Sequence, residues 1–133
     1  MAIQLGTSVR NARLDVIETT ISTAPIMTIR TGAAPSTCGD ANTGTVLATL
    51  TLPSDWMAAA ASGSKAKSGT WQDASADATG TAAHFRIHDS GGVACHIQGT
   101  CGIGTGDLQL DNTSLASGQQ FTVTGFTLTD GNA

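Results

Sequence analysis

Charge is scarce in this sequence: Asp, Glu, Lys and Arg together make up 12% of its 133 residues, about half the usual share of a globular chain. Aromatic residues reach only 4% and tyrosine is absent. A core must therefore be assembled from Val, Ile, Leu and Ala around Trp56, Trp71, Phe85, Phe121 and Phe126. No basic cluster interleaved with aromatics occurs, which argues against nucleic acid as a partner. No apolar run approaches ~20 residues, which argues against a membrane-spanning helix. The start, "MAIQLGTSVRNARLD", has no charged-then-apolar leader, so synthesis and assembly in a cytoplasm are expected. Glu18 is the one glutamate, which leaves a paired-carboxylate hydrolase poorly supported.

What is present is small and polar. Thr, Ser, Gly and Asn take the place of charge, and such surfaces suit lateral contact with other protein because few charges need desolvating. The net charge of −4 is uneven. Residues 1–67 carry five basic and four acidic groups, residues 68–133 one basic and six acidic. Three cysteines, an odd number without framework spacing, predict reduced thiols rather than structural disulfides.

Residues 8–21, "SVRNARLDVIETTI", read as the one helix. Val9, Ala12, Val16 and Ile17 recur at helical spacing, Leu14 and Ile21 widen the stripe, and Thr7 or Ser8 is the expected cap. Arg10, Arg13, Asp15 and Glu18 fall on the other side. The period then changes to two. "PIMTIR" (25–30), "TVLATLTL" (45–52), "GTAAHFRIH", "GVACHIQG", "DLQLDN" and "QFTVTGFTLT" are expected strands. "LPSDWMAAAA" suggests one or two helical turns and "SGSKAKSG" a flexible loop. In the last strand Phe121 and Val123 sit on odd positions but Phe126 and Leu128 on even ones, which predicts a β-bulge at Gly125. The expected fold is mainly β, an antiparallel β-sandwich or jelly-roll-like domain over residues 23–133, preceded by an N-terminal arm and helix over 1–22.

The densest chemistry lies in "ACHIQGTC", residues 94–101. Strand alternation puts Val93, Cys95 and Ile97 on the inner face and His96 on the other, with Cys101 in a following turn. On the neighbouring strand Phe85 and Ile87 point in, while His84, Arg86 and His88 point out. A three-residue loop, Asp89-Ser90-Gly91, would set His84 opposite His96. Two imidazoles supply too few ligands for a zinc site, so no metal is expected. Asp73, Ser75, Asp77 and Thr79 alternate as in a calcium loop, but Ala78 replaces the central glycine and His84 the bidentate glutamate, so a polar connection is expected. "GIGTGD" (102–107) lacks the lysine and helix of a phosphate loop and reads as a turn. No activated serine context appears. Neither catalytic residues nor a cofactor are expected. Trp56 and Trp71 are expected in the core or an interface rather than lining a sugar site.

Taken whole, the sequence resembles a family of short virion proteins of tailed bacteriophages. The stretches that carry the resemblance are "SVRNARLDVIETTI", "IRTGAAP", "GTVLATLTLPSDWMAAA", "SGTWQDASADATGTAAHFRIHDS", "CHIQGT" and "LDNTSLASGQQFTVTGFTLTDGNA". They cover nearly the full chain, and "LPSDWM" and "GTWQDASADATGTAAHFRI" are the most specific. The resemblance implies a non-enzymatic structural protein of the virion, assembled in the host cytoplasm. A head decoration (cement) protein that bridges capsomers comes first. A head–tail, neck or tail component, or a tail-fibre module for host glycan, is the alternative. The implied partners are the major capsid protein and copies of the chain itself, as a homo-oligomer on the particle, with no nucleic acid and no membrane. The segment Met1–Ile21 and the loop Thr31–Gly44 are candidates for reaching out. Ile3, Leu5, Val9 and Trp56 are the expected apolar capsid contacts, and Arg10 and Arg13 the polar ones.

Overall fold

The structure, a computed structural model, describes residues 3–131. One helix, α1 (Thr7–Ile21), precedes ten strands: β1 (Ile26–Arg30), β2 (Val46–Thr51), β3 (Ser64–Ala66), β4 (Gln72–Asp73), β5 (Gly80–Thr81), β6 (His84–His88), β7 (Cys95–Gly102), β8 (Leu108–Leu110), β9 (Ser114–Leu115) and β10 (Phe121–Thr129). Eight of them form one sheet in the order β2-β1-β6-β7-β8-β10-β3, with β4 also on β10, while β5 and β9 pair separately. The sheet curls into a half-barrel, and the fold is mainly β and sandwich-like, as the alternating segments require. Its pairings are antiparallel except for β7 with β8, which run parallel over two residue pairs.

Curling wraps one sheet face around a core of Met27, Ile29, Leu47, Leu50, Leu52, Trp56, Trp71, Phe85, Ile87, Leu108, Leu110, Phe121, Val123 and Phe126, all buried. The few aromatics are concentrated there. Trp56 lies 6.0 Å from Trp71, Trp71 5.6 Å from Phe126, and Phe126 meets Phe85 edge-on at 5.7 Å. Each indole N–H donates to a carbonyl, Trp56 to Ser22 and Trp71 to Ser68, so neither polar edge is stranded. Burying one such side chain contributes about 1.5–3 kcal/mol. This cluster therefore carries much of the fold.

β10 has the expected bulge. Its pairing with β8 slips between Val123 and Gly125, so Phe121, Val123 and Phe126 all face the core. Two more bulges were not legible in the alternation. One in β2 lies opposite Ile29–Arg30 and buries Leu47 beside Ala48; one in β7 lies opposite Ile87–His88.

The stretch 53–60 is not helical, despite its alanines. Met57 bridges Lys67, Ala61 bridges Ser64, and Ala58 N–H donates to Ala66 O at 2.8 Å. The expected flexible loop thus holds β3, turned by Ser62 and Gly63, both at positive φ. Two left-handed residues in succession give the tight turn whose twist matches the flanking strands. Pairing with a neighbouring chain segment satisfies more backbone groups here than a short, isolated helix would, and it overrides alanine's helix propensity.

Both outermost strands are covered. The Leu47 carbonyl of β2 accepts from Asp77 N–H at 2.7 Å, and Thr49 N–H donates to the Asp73 carboxylate. On the far side the Met57–Ala61 segment lies along β3.

Helix α1 docks through only part of its expected apolar stripe: Leu14, Ile17 and Ile21 turn towards the domain, whereas Val9, Ala12 and Val16 turn away from it. Only Leu14 and Ile21 are buried, with Ile17 packed partly against the core, whereas Val9 and Val16 are 49% and 59% exposed. The rest of the docking face is polar. Asn11 accepts from Gly63 N–H, Asp15 from Ala60 N–H, and Arg10 donates to Asp130 O. Lys65, 1% exposed, places its ammonium 2.7 Å from Asp15 and 2.8 Å from Glu18. A buried cation and unpaired amides at the β3 turn demand partners, and that demand rotates the helix. The helix also starts from Gly6, without a side-chain cap, rather than from Thr7 or Ser8.

Candidate functional site

The most organised polar region is the convex face of β1, β6 and β7. Alternation correctly sends Phe85 and Ile87 inward and His84, Arg86 and His88 outward, yet all three outward residues are buried. The cover is the loop 31–44. Expected to reach away, it lies flat across the sheet instead. Arg86 donates to Cys38 O at 2.8 Å and to Asp40 O at 3.2 Å, and also meets Asn42 Oδ1. Arg30 reaches Thr43 O, Gln98 donates to Pro35 O at 2.7 Å, and His84 Nδ1 lies 2.7 Å from Gly32 O. Two guanidinium groups thus replace water around a run of loop carbonyls, a charge-assisted arrangement that fixes the loop. Arg86 Nε and His84 Nε2 remain buried without a hydrogen-bond partner.

The β7 bulge changes the chemistry of "ACHIQGTC". Ile97 pairs with Ile87, but Cys95 pairs with His88, so one extra residue, His96, is accommodated between them. Cys95 therefore does not enter the core with Ile97. It turns to the convex face, where its sulfur lies 2.6 Å from that of Cys38 on the covering loop. The expectation of an inward Cys95 is corrected by this single-residue slip. The hairpin itself is longer than expected: Asp89 N–H bonds Ala94 O, and the left-handed glycine is Gly92. That shift pairs His84 with Thr100, not with His96. His96 is exposed near Val16, Ile17, Thr20 and Ile21 of the helix. Cys101 belongs to β7 rather than to a turn and packs partly against the core, where burial pushes its thiol up to about 11.

The other motifs resolve as structural stitching. Asp73 and Asp77 bind Thr49, Asp73 also accepts from Ser75 N–H, and Thr79 Oγ1 accepts from Ser117 N–H. The oxygens of the calcium-like stretch thus fasten it to β2 and to the β9 end. "GIGTGD" is a turn with Gly104 and Gly106 at positive φ, held by Asp107 accepting from Thr100 N–H. Among the described residues, no three His, Cys, Asp or Glu side chains are grouped to hold a metal ion. No helix among them is long and apolar enough to cross a membrane.

The expected contact residues separate into two groups. Trp56 is wholly buried and is corrected to a core residue; with Trp71 also buried, neither indole offers a surface to a sugar. Arg10 and Arg13 both turn to Asp130, Arg13 at 3.2 Å. Ile3 and Val9 are exposed and Leu5 is half-buried. Val16, absent from the expected set, joins Val9 on the outward helix face; its helical spacing signalled an apolar face, but only the docking geometry shows that this face looks out. Met1 and Ala2 of the N-terminal arm lie outside the described residues. No protein-family model, curated protein or solved structure matches the chain.

Proposed function

We propose that the chain is a non-enzymatic structural protein of a tailed-phage virion, seated on the head as a decoration protein that bridges capsomers. The observation that carries this reading is the outward apolar stripe of α1. Ile3, Val9 and Val16 are exposed on a segment whose polar face is already committed to its own domain. Such an arrangement places apolar area where another protein can cover it. The curled β-core supports the reading as a stiff platform, and the low charge keeps the desolvation cost of a contact small. Many copies, each with a modest interface, hold collectively by avidity. The major capsid protein and neighbouring copies are the partners in this reading.

The test is the protein's stoichiometry in purified particles of the phage that encodes it, together with Val9→Asp and Val16→Asp. Hundreds of copies per particle, falling at least tenfold in the double variant while its circular dichroism is unchanged, is the expected result. Six or twelve copies would move the protein to the neck or tail. Unchanged occupancy of the double variant would remove α1 from the interface.

A further inference from the structure

The loop 31–44 and the bulge of β7 bring together two thiols that lie 57 residues apart in sequence. The sulfurs of Cys38 and Cys95 are 2.6 Å apart, and all three cysteines of the chain are free. Both partners are held from behind. Arg86 grips the Cys38 carbonyl, and the pairing with His88 fixes Cys95 in the strand. A cleft of about 380 Å³, lined by Cys38, Asn42, Arg86, His88, Val93 and Cys95, opens beside the sulfurs, so a small reagent can reach them. We propose that Cys38 and Cys95 form a covalent modification site, a dithiol that closes to an intrachain disulfide and locks the loop 31–44 over the convex face of β1, β6 and β7.

The oxidant is a small-molecule disulfide such as oxidised glutathione. One cysteine, as thiolate, attacks a sulfur of the reagent and expels one thiolate. The second cysteine then attacks the protein sulfur of the mixed disulfide and expels the other. Both leaving groups take up the protons lost from the cysteines. The protein loses two hydrogens and two electrons, and one reagent disulfide becomes two thiols. Burial raises the Cys38 thiol to about 11, with the neighbouring Cys95 acting in the same direction. Cys38 is therefore mostly protonated at neutral pH and slow to react with stray oxidants. Cys101, packed on the core side of β7, has no sulfur partner at this site.

The experiment equilibrates the reduced full-length protein with oxidised and reduced glutathione, then reads thiol count, intact mass and peptide linkage. The expected product is a monomer about 2 Da lighter, with one remaining thiol at Cys101 and a 38–95 linkage. Closing so long a loop should raise Tm by roughly 10 °C over the reduced protein. Cys38→Ser and Cys95→Ser should each abolish both the mass change and the Tm gain, whereas Cys101→Ser should retain them. Three persisting thiols, a linkage to Cys101, dimers, or a glutathione adduct stalled on either sulfur would overturn the proposal. Stoichiometric zinc bound by the reduced pair would do so as well.

Discussion

Lys65 is the residue most at odds with its neighbourhood: a cation 1% exposed, in a stretch whose composition reads as a solvated loop. Its ammonium is supported by Asp15, Glu18 and the Ala58 carbonyl. Removing it leaves two partly exposed carboxylates that water can reach, so the loss arises mainly from packing. Lys65→Ala is expected to cost about 2–3 kcal/mol, and Lys65→Met, which keeps the stem, about 1 kcal/mol or less. Urea denaturation of both variants checks the order; equal losses would mean that the ammonium itself holds the helix. Glycines divide in the same way. Gly44 sits at φ +72 with a would-be Cβ 2.0 Å from the Thr31 carbonyl oxygen, at the base of the loop 31–44. Gly44→Ala is expected to cost at least about 2 kcal/mol. Gly125→Ala would meet Gln109 only at an ordinary 3.6 Å and should cost less than about 1 kcal/mol. Chemical denaturation midpoints of the two variants separate them.

At the scale of elements, alternation located most of the sheet because a half-buried strand has to show period two. β1, β2, β6, β7, β8 and β10 were all legible, and so was the β10 bulge, because Phe121, Val123 and Phe126 betray the phase slip with large side chains. The β7 bulge left no such mark. Its extra residue lies among small and polar side chains, and either register reads acceptably. That one ambiguity misplaced Cys95 and hid its meeting with Cys38. Short strands β3, β4 and β9 carry too few residues for any period. Helix α1 was legible as a helix but not in its orientation, because its apolar residues spread too widely around the axis to single out one docking face. What decides its orientation, the buried Lys65 and the open amides at residues 60 and 63, lies about 50 residues downstream.

For the molecule as a whole, the basic convex face makes stability depend on pH. His88 is held below its ordinary 6.5, first by burial and then by Arg86 and Arg30, with Asp89 opposing. The unfolded chain takes up this proton near 6.5 and the folded one only at lower pH, so protonation favours unfolding. Stability should be level above about pH 7, fall as pH drops below 6.5, and level off once the folded protein is itself protonated. Asp15 and Asp89, both held below the usual carboxylate value, add a separate loss as pH falls further through their lowered values. Urea midpoints at successive pH values, compared with His88→Gln, check the first step. A profile identical in the variant would assign that step to another group.

The covered margins of the sheet bear on how such molecules behave when crowded. Residues 73–78 occupy the rim at β2, and residues 57–61 do the same at β3. An unprotected rim invites a neighbour to extend the ladder, and from there growth continues without limit. With both rims blunted from within, packed copies are left to meet through side chains, in contacts that can be finite and reversible rather than fibrous.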